Sequence, residues 1–139
     1  MVDIRSYCSE DFDQVREILI ETDLYNPEID TRRRFEDKIK DFQNSILVAE
    51  TQDHEVVGAV FITDDATNVL LTRLGVLPEY QGKGIGTRLV EEAEQILEDR
   101  DVPISVAFAK SENEDLKQWY LNKGYDEKGN YTMMWKDLE

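Results

Sequence analysis

Three glycines recur at every second position in Gln81-Gly82-Lys83-Gly84-Ile85-Gly86-Thr87, and a helix-like pattern begins directly after them. Glycine lets backbone N–H groups turn outward with no Cβ in the way, beside the positive end of a helix dipole. That arrangement binds phosphate. Cys8 is the single cysteine and His54 the single histidine. A nucleophilic thiolate needs a base beside it, whereas His54 sits in Thr51-Gln52-Asp53-His54-Glu55, a stretch with the composition of a hairpin turn. Both are read as structural. One cysteine excludes an internal disulfide and any multi-cysteine metal site, so no metal is expected.

The elements that must position the glycine loop follow from periodicity. Val2–Tyr7 reads as a first strand. Ser9 is a candidate N-cap for a helix over Glu10–Thr22, with Phe12, Val15 and Leu19 on one face. Asn26-Pro27 breaks it, and Asp30 is a candidate cap for a second helix carrying Phe35, Ile39 and Phe42. Ser45–Thr51, Glu55–Thr63 and Asn68–Val76 follow as three strands, joined by turns at Gln52-Asp53 and Asp64–Thr67 in antiparallel hairpins. The loop then leads into a helix over Gly84–Arg100, with Leu89, Val90, Ala93, Ile96 and Leu97 as its core stripe.

Past Pro103, the apolar run Ile104–Ala109 reads as a strand returning beside the third hairpin strand, a right-handed βαβ crossover. A last helix over Glu114–Lys123 stops at Gly124. Tyr125–Lys136 reads as one or two final strands around a turn at Lys128-Gly129-Asn130. The expectation is an α/β (α+β) domain with a mixed, largely antiparallel sheet.

At 139 residues, with 40% hydrophobic and 34% charged residues, the chain is expected to form one globular domain over 1–139. No apolar run approaches the ~20 residues of a bilayer span, and the N-terminus lacks a signal peptide's pattern. A cytoplasmic location with no membrane partner is expected. A formal charge of −15 argues against nucleic acid as a partner and would attract cations. Most of these carboxylates belong on solvated helix faces.

Three phosphate-binding patterns compete for the loop. A P-loop needs Gly-x-x-x-x-Gly-Lys-Ser/Thr, but Lys83 precedes Gly84 and no glycine stands five positions before Gly82. A dinucleotide fold wants Gly-x-Gly-x-x-Gly in the first βαβ unit. Here Gly-x-Gly-x-Gly comes after four strands and two helices. The third pattern fits. Gln81-Gly82-Lys83-Gly84-Ile85-Gly86 resembles the Gln/Arg-x-x-Gly-x-Gly/Ala signature of the GNAT superfamily of acyl-CoA-dependent N-acyltransferases, and Val76–Tyr80 resembles the usual approach to it. Tyr120-Leu121-Asn122-Lys123-Gly124-Tyr125 resembles that family's Tyr-x-x-x-Gly-Phe segment, with Asn113 seven residues before Tyr120.

The resemblance implies a sheet of six to seven strands, splayed between the fourth and fifth and flanked by about four helices. It implies acetyl-CoA as cosubstrate, its pyrophosphate held by backbone amides of Gly82, Lys83, Gly84, Ile85, Gly86 and Thr87, with Gln81 opening the turn. Leu74, Gly75 and Val76 match the place where the fourth strand bulges and pairs with the pantetheine arm, and Gly75 suits a bulge. Asn113 would bond the pantetheine or orient the loop, or simply cap its helix. Tyr120 would protonate the departing thiolate, or merely fill the core.

Acyl transfer to an amine needs a neutral amine and a donor for the carbonyl oxygen. Some family members carry a strand-four Glu four residues before the position of Val76. Thr72 stands there, and no acid occurs from Asn68 through Leu77. A water relay, or Glu21, Asp23 or Glu28 from the variable region, must take the amine's proton. That acidic region suggests a cationic acceptor: a small amine or polyamine, a lysine side chain or a protein N-terminus. A monomer or homodimer fits equally. A non-catalytic acyl-CoA-binding or sensing module, or an inert subunit of an acyltransferase complex, stands as the alternative.

Overall fold

The computed structural model describes residues 1–138. They form two compact units, one ending at Phe108 and the next beginning at Ala109. The first holds the strands β1 (Val2–Ser6), β2 (Ile46–Thr51), β3 (Val56–Asp64) and β4 (Val69–Val76), with the helices α1 (Phe12–Glu21), α2 (Arg32–Asp41) and α3 (Ile85–Asp99). The strands form one antiparallel sheet in the order β1-β2-β3-β4. The second unit holds α4 (Glu114–Asn122).

Two glycines show which helix covers which face. A Cβ on Gly58 would meet Leu89 and Ile85 of α3, while one on Gly75 would meet Ile18 of α1 and Thr22, which ends that helix. Gly75 pairs with Ala59, the residue after Gly58, and neighbours on a strand point to opposite faces. So α1 and α3 cover opposite sides of the sheet. This explains the near-continuous apolar run of β3, where every residue from Val56 to Ile62 is buried. On the α1 face, Phe35 of α2 packs edge-on against Tyr7, Phe12 and Phe61.

The helix starts differ from expectation. Ser9 does not cap α1. Arg5 draws the Asp11 carboxylate inward at 2.8 and 2.9 Å, and that carboxylate also accepts the Cys8 N–H. The chain therefore makes a 3-10 turn over Ser9–Asp11 before α1 begins. Cys8 is exposed and fills no core. Asp30 does not cap α2 either: Thr31 does, accepting the Arg34 N–H at 3.2 Å. His54 lies in the β2–β3 turn, as expected, with φ +66°.

The expected six to seven strands are four among the described residues. Ile104–Ala109 returns parallel to β4 but meets it at one bridge, Leu71 with Ala107, supported by the Leu71 N–H bonding the Val106 carbonyl at 2.7 Å. Ile104 and Phe108 stay exposed, so no buried face pins a longer register. In the tail, Tyr131, Met133, Met134 and Trp135 are exposed, and the described residues of the second unit contain no strand for them to pair with. The four helices match expectation, as does the αL stop at Gly124, with φ +92°.

Candidate active site

The loop from β4 to α3 is built to leave N–H groups open. A 3-10 turn over Pro78–Tyr80 brings the chain off the strand, and the Gln81 amide reaches back to the Val76 carbonyl at 2.8 Å. Gly82 and Gly84 adopt φ +78° and +83°. Gly84 is the N-cap residue of α3. A Cβ at either glycine would meet no protein atom within 4 Å, so the backbone angle, not crowding, selects glycine. Among the described residues, none of the N–H groups from Gly82 to Thr87 donates to another backbone carbonyl. Gln81 through Gly84 are exposed, and Gly86 and Thr87 half-buried. These groups stand at the start of a fifteen-residue helix, where successive open N–H groups are suited to an anion. The Lys83 ammonium sits over the Tyr80 ring, 5.3 Å from its centroid.

The same unit brings Leu74, Gly75 and Val76 next to this loop through the Gln81–Val76 bond. β4 is irregular just before them: Thr72 pairs with Phe61 and Gly75 with Ala59, leaving Arg73 and Leu74 opposite Val60 alone. The bulge therefore lies one to two residues earlier than Gly75. Arg73, not glycine, takes the left-handed backbone there, with φ +52°. Gly75 is needed for a different reason. Its missing Cβ leaves room for Thr22, whose Oγ1 would lie 3.0 Å away.

The bulge turns Arg73 toward Asp30, which receives two N–H bonds at 2.9 and 3.2 Å. Asp30 also accepts the Asn26 N–H at 2.8 Å, and its side chain is 1% exposed. The 22–30 loop is thus held against β4 at both ends, by Thr22 at Gly75 and by Asp30 at Arg73. Between α2, β3 and β4 opens a cleft of about 350 Å³, with Thr72 and Arg73 on its β4 side. Glu21, at the end of α1, and Asp23 and Glu28 on this loop are exposed.

The second unit carries the other two expected site residues. Asn113 caps α4, its side chain accepting the Leu116 N–H at 3.0 Å. Tyr120 is 8% exposed, its ring edge-on to Trp119 and Tyr125 at 5.0 and 5.1 Å. Among the described residues no group of three or more His, Cys, Asp or Glu side chains is placed to hold a metal. No described helix is long and apolar enough to cross a membrane.

Sequence reasoning passed over Arg73 and gave Asp30 another role. An arginine inside an apolar strand, 43 residues from a lone aspartate, was the available signal. Nothing in the linear pattern joins the two.

Comparison with known proteins places this arrangement. The model of the acetyltransferase (GNAT) family matches residues 12–125. An acetyltransferase of Photorhabdus laumondii is 32% identical over 113 residues, covering 81% of this chain and 78% of that protein. One from Sodalis glossinidius is 28% identical over 137 residues, covering 99% and 96%. The crystal structure of the PaiA N-acetyltransferase of Thermoplasma acidophilum, in complex with coenzyme A, superposes with a TM-score of 0.75 at 22% identity, covering 88% of each chain.

Proposed function

Because the chain belongs to the GNAT acetyltransferase family, we propose that it moves an acetyl group from acetyl-CoA to a primary amine, with residues 1–139 acting as one acyltransferase domain. The observation that carries this reading is the run of outward N–H groups from Gly82 to Thr87 at the start of α3. A pyrophosphate carries the charge such a nest accepts. Positive φ at Gly82 and Gly84 is what presents those groups. The family match spans both compact units, which supports their working together.

The chemistry then divides among named residues. Acetyl-CoA supplies the thioester. Backbone at Leu74, Gly75 and Val76, past the irregular pairing of β4, offers a strand-like edge for the pantetheine arm and an N–H for the carbonyl oxygen as it gains charge. An acceptor that arrives as an ammonium first gives one proton to water or to Glu21, Asp23 or Glu28. The neutral nitrogen then forms its bond to the carbonyl carbon as the carbon–sulfur bond breaks. Its surplus proton leaves to water or to Glu21, Asp23 or Glu28. The thiolate takes a proton from Tyr120, and the phenolate regains one from water. Asn113 keeps the helix of Tyr120 started and orients it. The three exposed carboxylates of the 21–28 stretch suit an acceptor that arrives as an ammonium.

The test is direct. Calorimetric titration of coenzyme A should show binding to the wild type, weakened at least about tenfold, or ~1.4 kcal/mol, in Gly84→Val. Release of free thiol from acetyl-CoA should depend on an added amine. Unchanged affinity in a folded Gly84→Val protein would overturn the loop assignment. Binding without turnover on any amine would leave a sensing module.

A further inference from the structure

The cleft between α2, β3 and β4 runs against the charge of the protein. In a chain of net charge −15, its charged lining is three cations, Arg34, Lys38 and Arg73, against one carboxylate, Asp30. That carboxylate is already engaged, since Arg73 and the Asn26 N–H take its oxygens and its side chain is 1% exposed. Arg73 is therefore paired with a carboxylate and the other two are not. Lys38 donates to the Ile62 carbonyl at 2.7 Å, a neutral acceptor. Among the described residues, Arg34 is held only through its backbone N–H, and its guanidinium meets no carboxylate.

Two like charges are thus left in one recess, with Thr63 and Thr72 adding hydroxyl groups. Burial, and then the charge of Arg73, hold the Lys38 ammonium below its usual range. An anion in the cleft would relieve both effects. The β4 side of the cleft is Thr72-Arg73, immediately before the Leu74–Val76 stretch that the proposed function assigns to the thioester arm. A small molecule bridging the two would place one end among cations and the other at the reacting carbonyl.

We propose, resting on that functional reading, that this cleft receives an anionic group, a phosphate or a carboxylate, carried by the amine acceptor itself. Arg34 and Lys38 supply the charge, and Thr63 and Thr72 the hydrogen bonds. Arg73, fixed by Asp30, shapes the site. The acceptor is then an amine with an anionic substituent a few bonds away. Its ammonium end suits the acidic 21–28 stretch and its anionic end suits the cleft.

The experiment uses the full chain saturated with coenzyme A, which keeps added anions off the glycine loop. Inorganic phosphate and acetate are titrated separately, and the stronger of the two identifies the preferred group. Arg34→Ala, at an exposed position, and Lys38→Met, which keeps the aliphatic stem, should each weaken that anion at least about tenfold while coenzyme A binds as before. Turnover is then compared for phosphoethanolamine against ethanolamine, and for β-alanine against β-alaninamide. The anionic member of one pair should lead by at least about tenfold in kcat/KM, and Arg34→Ala should erase the lead. Anion binding that is absent, or unchanged in both variants, overturns the proposal, as does equal turnover within both pairs. If wild-type protein fails to bind coenzyme A, the functional reading has failed instead, and the same anion titration without coenzyme A decides the cleft by itself.

Discussion

Arg73 and Asp30 join strand β4 to the loop after α1 through two N–H bonds of 2.9 and 3.2 Å, across 43 residues of sequence. The contact exists because β4 carries an extra residue opposite Val60, which re-aims the arginine. An arginine on a regular strand would alternate with its neighbours and give Thr72 and Arg73 opposite faces. Here both border one cleft. Strand irregularity, salt bridge and cleft are one feature.

Asp30→Ala leaves the Arg73 guanidinium, 24% exposed, without its partner. Removing one member of a buried pair costs about 3–5 kcal/mol, and the partial exposure of Arg73 puts the expectation near 3. Urea unfolding measures it. Arg73→Lys should recover little, since an ammonium cannot reproduce the two-point contact. A loss below about 1 kcal/mol for Asp30→Ala would show that the loop is not held by this pair.

Gly75→Ala tests the close approach of α1 to β4. The added Cβ would lie 3.0 Å from Thr22 Oγ1 and 3.2 Å from Ile18 Cγ2. Thr22 cannot simply swing away, because its hydroxyl donates to the Ile18 carbonyl at 2.7 Å. Overpacking of this kind costs about 1–3 kcal/mol. Thr22→Ser in the same chain removes the Thr22 methyl, 3.3 Å from the added carbon, and should return part of the loss. Additive effects in the double variant would place the strain elsewhere.

Much of this was legible in sequence because it is local. Of the expected α3 stripe, Leu89, Val90, Ala93 and Leu97 are buried and Ile96 is half-buried, and Gly84 starts that helix as a glycine loop should. What the sequence concealed depends on partners far along the chain. Ser9 and Asp30 both read as helix caps, yet Arg5 draws in Asp11 beside Ser9, and Arg73 draws in Asp30. Gly75 looked like a bulge residue, yet its φ is ordinary and its demand for space comes from Thr22 on another element. The strand expected over 104–109 does not form, and one bridge to Leu71 is all that its exposed flanks support. Periodicity shows that a segment suits a sheet, not that an edge stands ready for it.

Acid should weaken the protein through Asp11. Burial opposes its charged form, but the bonds from Arg5 and the Cys8 N–H outweigh that, and its carboxyl lies below the usual range. Arg5 holds the Glu50 carboxyl down in the same way. A carboxylate whose folded pKa is depressed adds stability that is fully present above its unfolded value, about 4, and is lost as pH falls through the folded one. Lower pH also relieves repulsion in so acidic a chain, so the difference between wild type and Arg5→Gln isolates the effect. That difference in unfolding free energy should be largest near neutral pH and shrink below about pH 4. A constant difference down to pH 3 would show that Arg5 acts through packing alone.

Tyr120→Phe separates proton donation from folding. The aromatic ring survives, so the edge-on contacts with Trp119 and Tyr125 at 5.0 and 5.1 Å persist. Loss of the hydroxyl should cost no more than about 1 kcal/mol of stability. Coenzyme A should bind nearly as before, because the phosphate nest proposed above is made by Gly82–Thr87 and not by Tyr120. General acid catalysis typically contributes about 10²–10⁴-fold. A thiol, with a pKa near 8.5, is a tolerable leaving group even unprotonated, which places this case at or below the lower end. Acetyl transfer should therefore fall roughly ten- to hundredfold at neutral pH. Thiol release under single-turnover conditions is the measurement, since slow product release would mask the step. A more acidic thiol in the donor, such as an acetylated thiophenol, should narrow the gap between wild type and variant. If turnover is unchanged with acetyl-CoA when chemistry limits the rate, Tyr120 serves packing, and the thiolate leaves unaided or takes its proton from water.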